Sequence, residues 1–120
     1  MSNADRACQL HREGFNCAQS VLMACHAEAG LSEETARDLG AYFGGGMRRG
    51  EVCGAISASL MLLGLEGDPK NTKAAGLMRE FQRQFGSIRC RELLGEDGKK
   101  SKDFCRTLIR FCMEYLEKES

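Results

Sequence analysis

Hydrophobic side chains recur along this chain with the period of an α-helix. Near the C-terminus they lie at i, i+3, i+4, i+7 and i+11, namely Cys105, Leu108, Ile109, Cys112 and Leu116. This spacing places them on one face of an amphipathic helix that packs against a core. A second stretch repeats the pattern with Leu77, Met78, Phe81 and Phe85. Val, Ile and Thr are scarce and there is a single proline, so the pattern predicts an all-α protein.

Capping and turn residues divide the chain into helical segments. Asn16 with a glutamine three residues later forms a capping-box pattern, and Ser32 is a typical N-cap. Asp68 followed by Pro69 is a strong helix start, and Ser101 is expected to cap the last helix. We expect helical segments over residues 4–12, 16–30, 32–43, 52–65, 68–85, 88–94 and from 101 onward. The fold class is therefore all-α, with residues 1–120 forming a single-domain bundle of about five to six helices.

Charge and hydropathy exclude several classes of function. Seventeen Lys and Arg balance seventeen Asp and Glu, and no basic run is present, so nucleic acid is not an expected partner. The longest apolar stretch, residues 55–65, is shorter than the roughly 20 residues that a membrane span requires. No secretory signal opens the chain, so we expect a soluble, cytoplasmic protein.

Seven cysteines in 120 residues are the most unusual feature of the composition. In a reducing cytosol they point to metal binding or redox chemistry, and their odd number excludes complete internal pairing. Their spacing contains no C-x-x-C, zinc-finger or ferredoxin motif. Cys105 and Cys112 on one helix would lie about 10 Å apart, beyond the ~7 Å limit between the Cα atoms of a disulfide. Any sulfur bond or shared metal must therefore join different helices.

Position within the helices separates the cysteines into two sets. The first set lies in the first turn of a predicted helix and consists of Cys17, Cys53, Cys90 and Cys105. At that position the helix dipole and the unpaired N–H groups lower a thiol pKa, and we expect the neighbouring arginines Arg89, Arg91 and Arg106 to add to this effect. The second set, Cys8, Cys25 and Cys112, lies in the middle or late part of helices, and we interpret these residues as core packing.

Four segments carry a resemblance to a known family: residues 14–21, residues 43–55, residues 90–95 and Cys105. Together they resemble the redox-active C_GCAxxG_C_C family, whose pattern covers almost the whole chain. The resemblance implies a small helical protein whose functional cysteines are Cys17, Cys53, Cys90 and Cys105. The resemblance also implies a redox function. Because related domains are associated with iron–sulfur centres, metal binding is a second possibility. One position departs from the pattern, because Ala58 stands where a second glycine is expected.

A glycine-rich loop precedes Cys53 and is a candidate binding element. Its glycines are Gly44, Gly45 and Gly46, and Gly54 follows the cysteine. No G-K-[ST] motif follows, so we favour a tight turn that brings the backbone close to Cys53 over a phosphate loop. Arg48 or its neighbour Arg49 could hold an anionic substrate.

Two functional hypotheses follow for the four cysteines. In the first, the protein is a thiol oxidoreductase or redox carrier in which Cys53 attacks and Cys17 resolves, with a redox partner protein or a small thiol as electron donor. In the second, Cys17, Cys53, Cys90 and Cys105 are the ligands of an iron–sulfur cluster or zinc ion, whereas the first hypothesis needs no cofactor. A weaker third interpretation is a structural bundle with incidental thiols. A homodimer is compatible with each of them, because short bundles commonly bury a residual apolar face.

Overall fold

The fold is a bundle of short α-helices. The computed structural model describes residues 2–68, 70, 72–95 and 102–118. Its helices are α1 (Asn3–Arg12), α2 (Cys17–Ala24), α3 (Glu33–Gly40), α4 (Gly54–Glu66), α5 (Thr72–Phe85), α6 (Cys90–Leu94) and α7 (Lys102–Lys118), with a turn of partly left-handed backbone at Gly46–Gly50 before α4. The predicted all-α class is confirmed over the described residues, and each of the seven expected segments contains a helix, so the predicted count of five to six helices was slightly too low.

Most of the predicted helix starts are confirmed by hydrogen bonds. Asn16 forms both halves of a capping box at the start of α2, and the Ser32 hydroxyl accepts from the backbone N–H of Thr35 at the start of α3. The Asp68 carboxylate accepts from the N–H groups of Lys73 and Ala74, so it caps α5 from outside the helix. The predicted roles of Pro69 and Ser101 lie outside the described residues.

Two helices end earlier than the sequence pattern predicts. Helix α2 ends at Ala24 instead of residue 30, and residues 25–30 form turns in which the N–H of Leu31 donates to the carbonyl of His26 at 2.8 Å. Helix α3 ends at Gly40 instead of residue 43. At Gly40 the backbone lies against Gln19 of α2 so closely that a Cβ atom would meet the Gln19 nitrogen at 2.8 Å. Tertiary packing, which local sequence does not reveal, sets this boundary.

The core lies around α2, which packs against α1, α3, α4 and α7. Val21 and Leu22 of α2 are fully buried, as are Ile56 of α4 and Ile109 of α7. Such apolar burial is the main contribution that holds the helices together. Within the described residues, no helix combines the length and the apolar character needed to cross a membrane.

An aromatic cluster holds α7 against α5. The rings of Phe81 and Phe111 lie 5.8 Å apart in an edge-to-face arrangement, and Phe85 contacts Phe104 and Phe111 at 6.1 and 5.3 Å. Edge-to-face pairs of this kind add to the stabilisation from burial. Because Phe104 precedes Cys105, this cluster fixes the position of that cysteine at the start of α7.

Candidate functional site

The first set of cysteines, from four different helices, lines one cavity of about 210 Å³. Cys17 is the first residue of α2, Cys53 immediately precedes α4, Cys90 is the first residue of α6, and Cys105 lies in the first turn of α7. The predicted first-turn position is thus confirmed for Cys17, Cys90 and Cys105, whereas Cys53 is the N-cap of α4 and lies just before its first turn. The rest of the cavity wall is formed by His11, Asn16, Gly45, Leu93, Leu94, Lys102 and Leu108. We call this space the thiol cavity.

Asn16 fixes the position of Cys17 by joining two helices. Its Oδ1 atom accepts from the Gln19 N–H at 2.7 Å, which caps the start of α2. Its Nδ2 atom donates to the carbonyls of Gly40 and Ala41 at 3.1 and 3.2 Å, which satisfies the end of α3. One side chain therefore satisfies backbone groups at two helix ends that would otherwise lack partners. Cys17 is held directly beside this junction.

Gly54 allows Cys17 and the start of α4 to approach closely. A Cβ atom on Gly54 would lie 2.5 Å from the Cys17 Sγ atom and 2.6 Å from the Phe43 carbonyl oxygen. Both distances are far below van der Waals contact, so no larger residue fits without moving the sulfur. Ala58, where the family pattern has its second glycine, is fully buried in α4.

A single pair of backbone hydrogen bonds joins the segments that precede α4 and α6. Val52 and Arg89 form an antiparallel β-bridge. The Cys53 N–H donates to the Ile88 carbonyl at 2.8 Å, and the Cys90 N–H donates to the Glu51 carbonyl at 2.7 Å. The backbone of both cysteines is therefore fixed in one register before the helices begin.

The glycine-rich loop forms one turn with a left-handed backbone. Gly45, Gly46, Met47 and Arg48 have φ values of 64°, 66°, 59° and 63°. The left-handed conformation costs a residue with a side chain roughly 1–2 kcal/mol, so Met47 and Arg48 are strained. Gly44 packs against the Asn16 side chain, where a Cβ atom would overlap it. The loop thus joins the Asn16 junction to the Cys53 backbone, and strained backbone of this kind is common at functional sites.

Burial raises the pKa values of three cavity thiols, opposite to the direction that the helix-dipole argument predicts. The pKa of Cys53 is raised to about 12 and that of Cys105 to about 11, and the pKa of Cys90 is also raised. In each case burial is the largest cause, and a negative charge on Cys17 raises the pKa further. The N–H groups of Ala55 and Ile56 lower the pKa of Cys53. The dipole effect is therefore present, but desolvation outweighs it.

The arginines beside Cys90 do not serve the purpose predicted for them. Arg89 and Arg91 both form ion pairs with the Glu51 carboxylate, at 3.0 and 3.1 Å, and Arg91 also donates to the Arg49 carbonyl. Neither contributes to the pKa shift of Cys90. Their positive charges therefore stabilise the two segments that the Val52–Arg89 bridge joins.

Two other predicted arginine roles have different outcomes. Arg106 lowers the pKa of Cys105 in the predicted direction, although burial outweighs it. Arg48 is exposed and lies over the Tyr42 ring, 5.6 Å from its centroid, outside the wall of the thiol cavity. Of the predicted binding glycines, Gly45 lines the cavity, Gly44 and Gly46 are buried within the turn, and Gly54 touches Cys17.

Sequence reasoning missed two polar residues of the cavity wall, His11 and Lys102. His11 is half-buried at the end of α1, and its Nδ1 atom lies 3.1 Å from the Arg106 guanidinium. Neither residue belongs to a recognisable motif. The packing of α1 on α7 brings His11 to the thiols, whereas Lys102 lies three residues before Cys105 on α7, a spacing that places both on one face of the helix.

Metal ligation was tested on the arrangement of the side chains. Among the described residues, no three Cys, His, Asp or Glu side chains lie together as a metal ion requires. The four thiols share a cavity, but they do not form a ready-made tetrahedral or cluster site.

These features define an all-helical protein in which four dispersed cysteines meet in one cavity. The chain belongs to the C_GCAxxG_C_C family, since residues 15–119 match the family described as "Putative redox-active protein (C_GCAxxG_C_C)". No curated protein and no solved structure matched the chain.

Proposed function

We propose that this protein is a thiol–disulfide redox protein that forms and breaks a disulfide between Cys17 and Cys53. The observation that carries the proposal is the thiol cavity, where four cysteines from four helices line a space of about 210 Å³. Membership of a redox-active family supports electron transfer as the use of these thiols. A dithiol needs no resident cofactor to accept or release two electrons.

Proximity favours Cys17 and Cys53 as the pair. The Cys17 sulfur lies against Gly54, the residue that follows Cys53. Among the neighbouring charges that raise the Cys53 pKa, that of Cys17 has the largest effect. A disulfide requires Cβ atoms within about 4.5 Å, and the close approach of α2 to α4 at Gly54 favours this geometry. Cys90 and Cys105, half-buried on the same cavity, are a second candidate pair.

Burial favours Cys17 as the attacking thiol, which reverses the roles expected from sequence. Cys17 is half-buried at the first position of α2, whereas Cys53 is only 5% exposed and its pKa is raised to about 12. Attack requires access to the disulfide of the partner, and Cys17 is the more exposed of the two cysteines. Cys53 therefore acts second, from the protected side of the cavity.

The reaction balances as two successive exchanges with a disulfide of a partner protein or small thiol. The Cys17 thiolate attacks one sulfur of that disulfide, forming a mixed disulfide and releasing the first thiolate, which takes up the proton that Cys17 lost. Cys53 then loses its proton and attacks the Cys17 sulfur, which releases the second thiolate, and this takes up the Cys53 proton. Two electrons pass to the partner, and reduction by a dithiol reverses the sequence.

Thiol counting tests this function. Protein purified without oxygen should show seven titratable thiols when denatured, and should lose two of them on mild oxidation with a small disulfide. Dithiothreitol should restore both. Metal analysis on the same sample serves as the control for the alternative chemistry. Thiols that do not change under oxidation, or one equivalent of bound iron or zinc, would contradict the proposal.

A further inference from the structure

One wall of the thiol cavity is positively charged, and the other walls are apolar or carry thiols. Lys102 and His11 line the cavity directly, and Arg106 lies behind His11 with its guanidinium 3.1 Å from Nδ1. Leu93, Leu94 and Leu108 form the apolar part. We call His11, Lys102 and Arg106 the cationic wall.

The contact with Arg106 determines the form of His11. A guanidinium can only donate hydrogen bonds, so Nδ1 accepts and the ring hydrogen of the neutral imidazole lies on Nε2. Burial lowers the pKa of His11, and the positive charges of Arg106, Lys102 and Arg12 lower it further. At neutral pH His11 is therefore an uncharged hydrogen-bond donor surrounded by cations.

The charge of this wall reaches the thiols. Both Arg106 and Lys102 lower the pKa of Cys105, which means that they favour negative charge in the cavity. Asp103 pairs with Arg106 but is itself 85% exposed on its side chain, and Lys102 has no ion pair among the described residues. An anion entering the cavity would therefore meet net positive charge.

We infer that the cationic wall makes the thiol cavity selective for small, negatively charged thiol-reactive substrates, such as disulfides that carry carboxylates. The inference rests on the proposed function and names its substrate class. A space of about 210 Å³ corresponds to about seven water molecules at ~30 Å³ each, so it admits a small molecule and excludes a folded domain. Two of the wall's side chains, Lys102 and Arg106, supply the charge, and His11 supplies a neutral donor.

Alkylation separates this selectivity from redox activity. Iodoacetate and iodoacetamide both transfer a carbon to a thiolate with loss of iodide, and they differ mainly in that only iodoacetate is anionic. The rates of modification at Cys17, Cys90 and Cys105 are measured by peptide mass spectrometry at low salt. The ratio of the iodoacetate rate to the iodoacetamide rate is then divided by the same ratio for free cysteine.

We expect this normalised ratio to be about 5, because one close charge pair in a largely aqueous setting has an effect of this size. In 1 M salt the ratio should fall, because salt screens the charges. Lys102→Gln should lower the ratio toward one, Lys102→Glu should bring it below one, and Arg106→Gln should also reduce it. Lys118→Gln and Arg110→Gln, on the same helix but away from the cavity, are the matched controls and should leave it unchanged.

A normalised ratio at or below one in the unaltered protein would overturn the inference. So would a high ratio that survives in both Lys102 variants, since Lys102 is exposed and its replacement should not disturb folding. If the thiols are alkylated without charge preference but still oxidise reversibly, the inference fails and the proposed function stands. If neither reagent modifies the cavity thiols, both fail.

Discussion

The seven thiols occupy two regions that differ in what surrounds the sulfur. In the packed interior each thiol has a fixed partner: Cys8 donates to the Arg106 carbonyl at 3.7 Å, and Cys25 lies 3.8 Å from the Met113 sulfur. Cys112 is fully buried and interacts with Ser59. Around the thiol cavity, Cys17, Cys53, Cys90 and Cys105 line one common space instead.

Burial alone does not distinguish the two regions. It raises the pKa of interior Cys25 and of cavity Cys53 alike to about 12. The pKa of a thiol therefore does not reveal to which of the two regions it belongs. Cys25 and Cys8 also line pockets, but each does so as the single cysteine there, whereas four cysteines from helix starts line the thiol cavity together. Convergence from separate helices is accordingly a better sign of function here than a lowered pKa.

The largest expected effect comes from removing single thiols in each region. Cys17→Ser or Cys53→Ser should abolish the reversible loss of two thiols on mild oxidation, because the remaining cysteine of the pair then has no partner. Cys8→Ser and Cys25→Ser, the interior controls, should retain it. Thiol titration before and after oxidation measures the outcome, with circular dichroism to check folding. Loss of the reaction in a well-folded Cys8→Ser variant would remove the distinction between the regions.

The close approach of α2 and α4 gives the next largest effect. Gly54→Ala should lower the free energy of unfolding by about 1–3 kcal/mol and displace Cys17, because the new Cβ atom would overlap the sulfur. Gly64→Ala in the same helix has open space around the new atom and should raise stability by about 1 kcal/mol. Urea denaturation of the Gly54→Ala and Gly64→Ala variants measures both changes in the free energy of unfolding. Equal effects would show that the Gly54 contact is not tight.

Alkaline pH should destabilise the fold through both regions. Because the folded-state pKa values of Cys53 and Cys25 are raised to about 12 from a reference of 9.0, the unfolded chain releases these protons first. Their stabilisation is complete below pH 9 and is lost as pH rises toward 12, at about 1.4 kcal/mol per pH unit for each thiol.

Urea denaturation under reducing conditions at pH 7.5 to 10.5 measures this loss. Cys25→Ser and Cys53→Ser should each make the decline shallower by a similar amount. A stability that does not change between pH 8 and 10.5 would contradict the burial of both thiols.

The smallest effect concerns the strained turn beside the cavity. Met47→Gly should raise the free energy of unfolding by about 0.5–1 kcal/mol, because glycine adopts the left-handed backbone without strain. Arg49→Gly is the matched control, since Arg49 is not among the residues with positive φ, and it should lower stability slightly. Stabilisation by both changes, or by neither, would argue against strain at Met47.

Local signals in the sequence predicted the helix starts well. The capping box at Asn16 and the N-cap at Ser32 depend on side chains that bond backbone within three residues, so their geometry is readable from spacing. The same signals identified four cysteines as helix-start residues. These signals could not establish that the four helix starts lie together in the fold. The family resemblance grouped the four cysteines as one functional set.

Features that depend on tertiary packing were not predictable. His11 reaches the cavity because α1 packs on α7, and the end of α3 is set by contact with Gln19. The raised pKa of Cys53 follows from burial, which a helix-dipole argument does not include. The left-handed turn at Met47 carries no sequence signal beyond the adjacent glycines.

The central claim is that Cys17 and Cys53 form one redox pair across the thiol cavity. The most direct measurement oxidises the native protein mildly, blocks the remaining thiols, digests the chain without reduction and identifies the linked peptides by mass spectrometry. The account predicts a cross-linked peptide pair containing Cys17 and Cys53, absent after treatment with dithiothreitol. A reproducible disulfide between any other two cysteines of the folded monomer, with Cys17 and Cys53 still reduced, would contradict it.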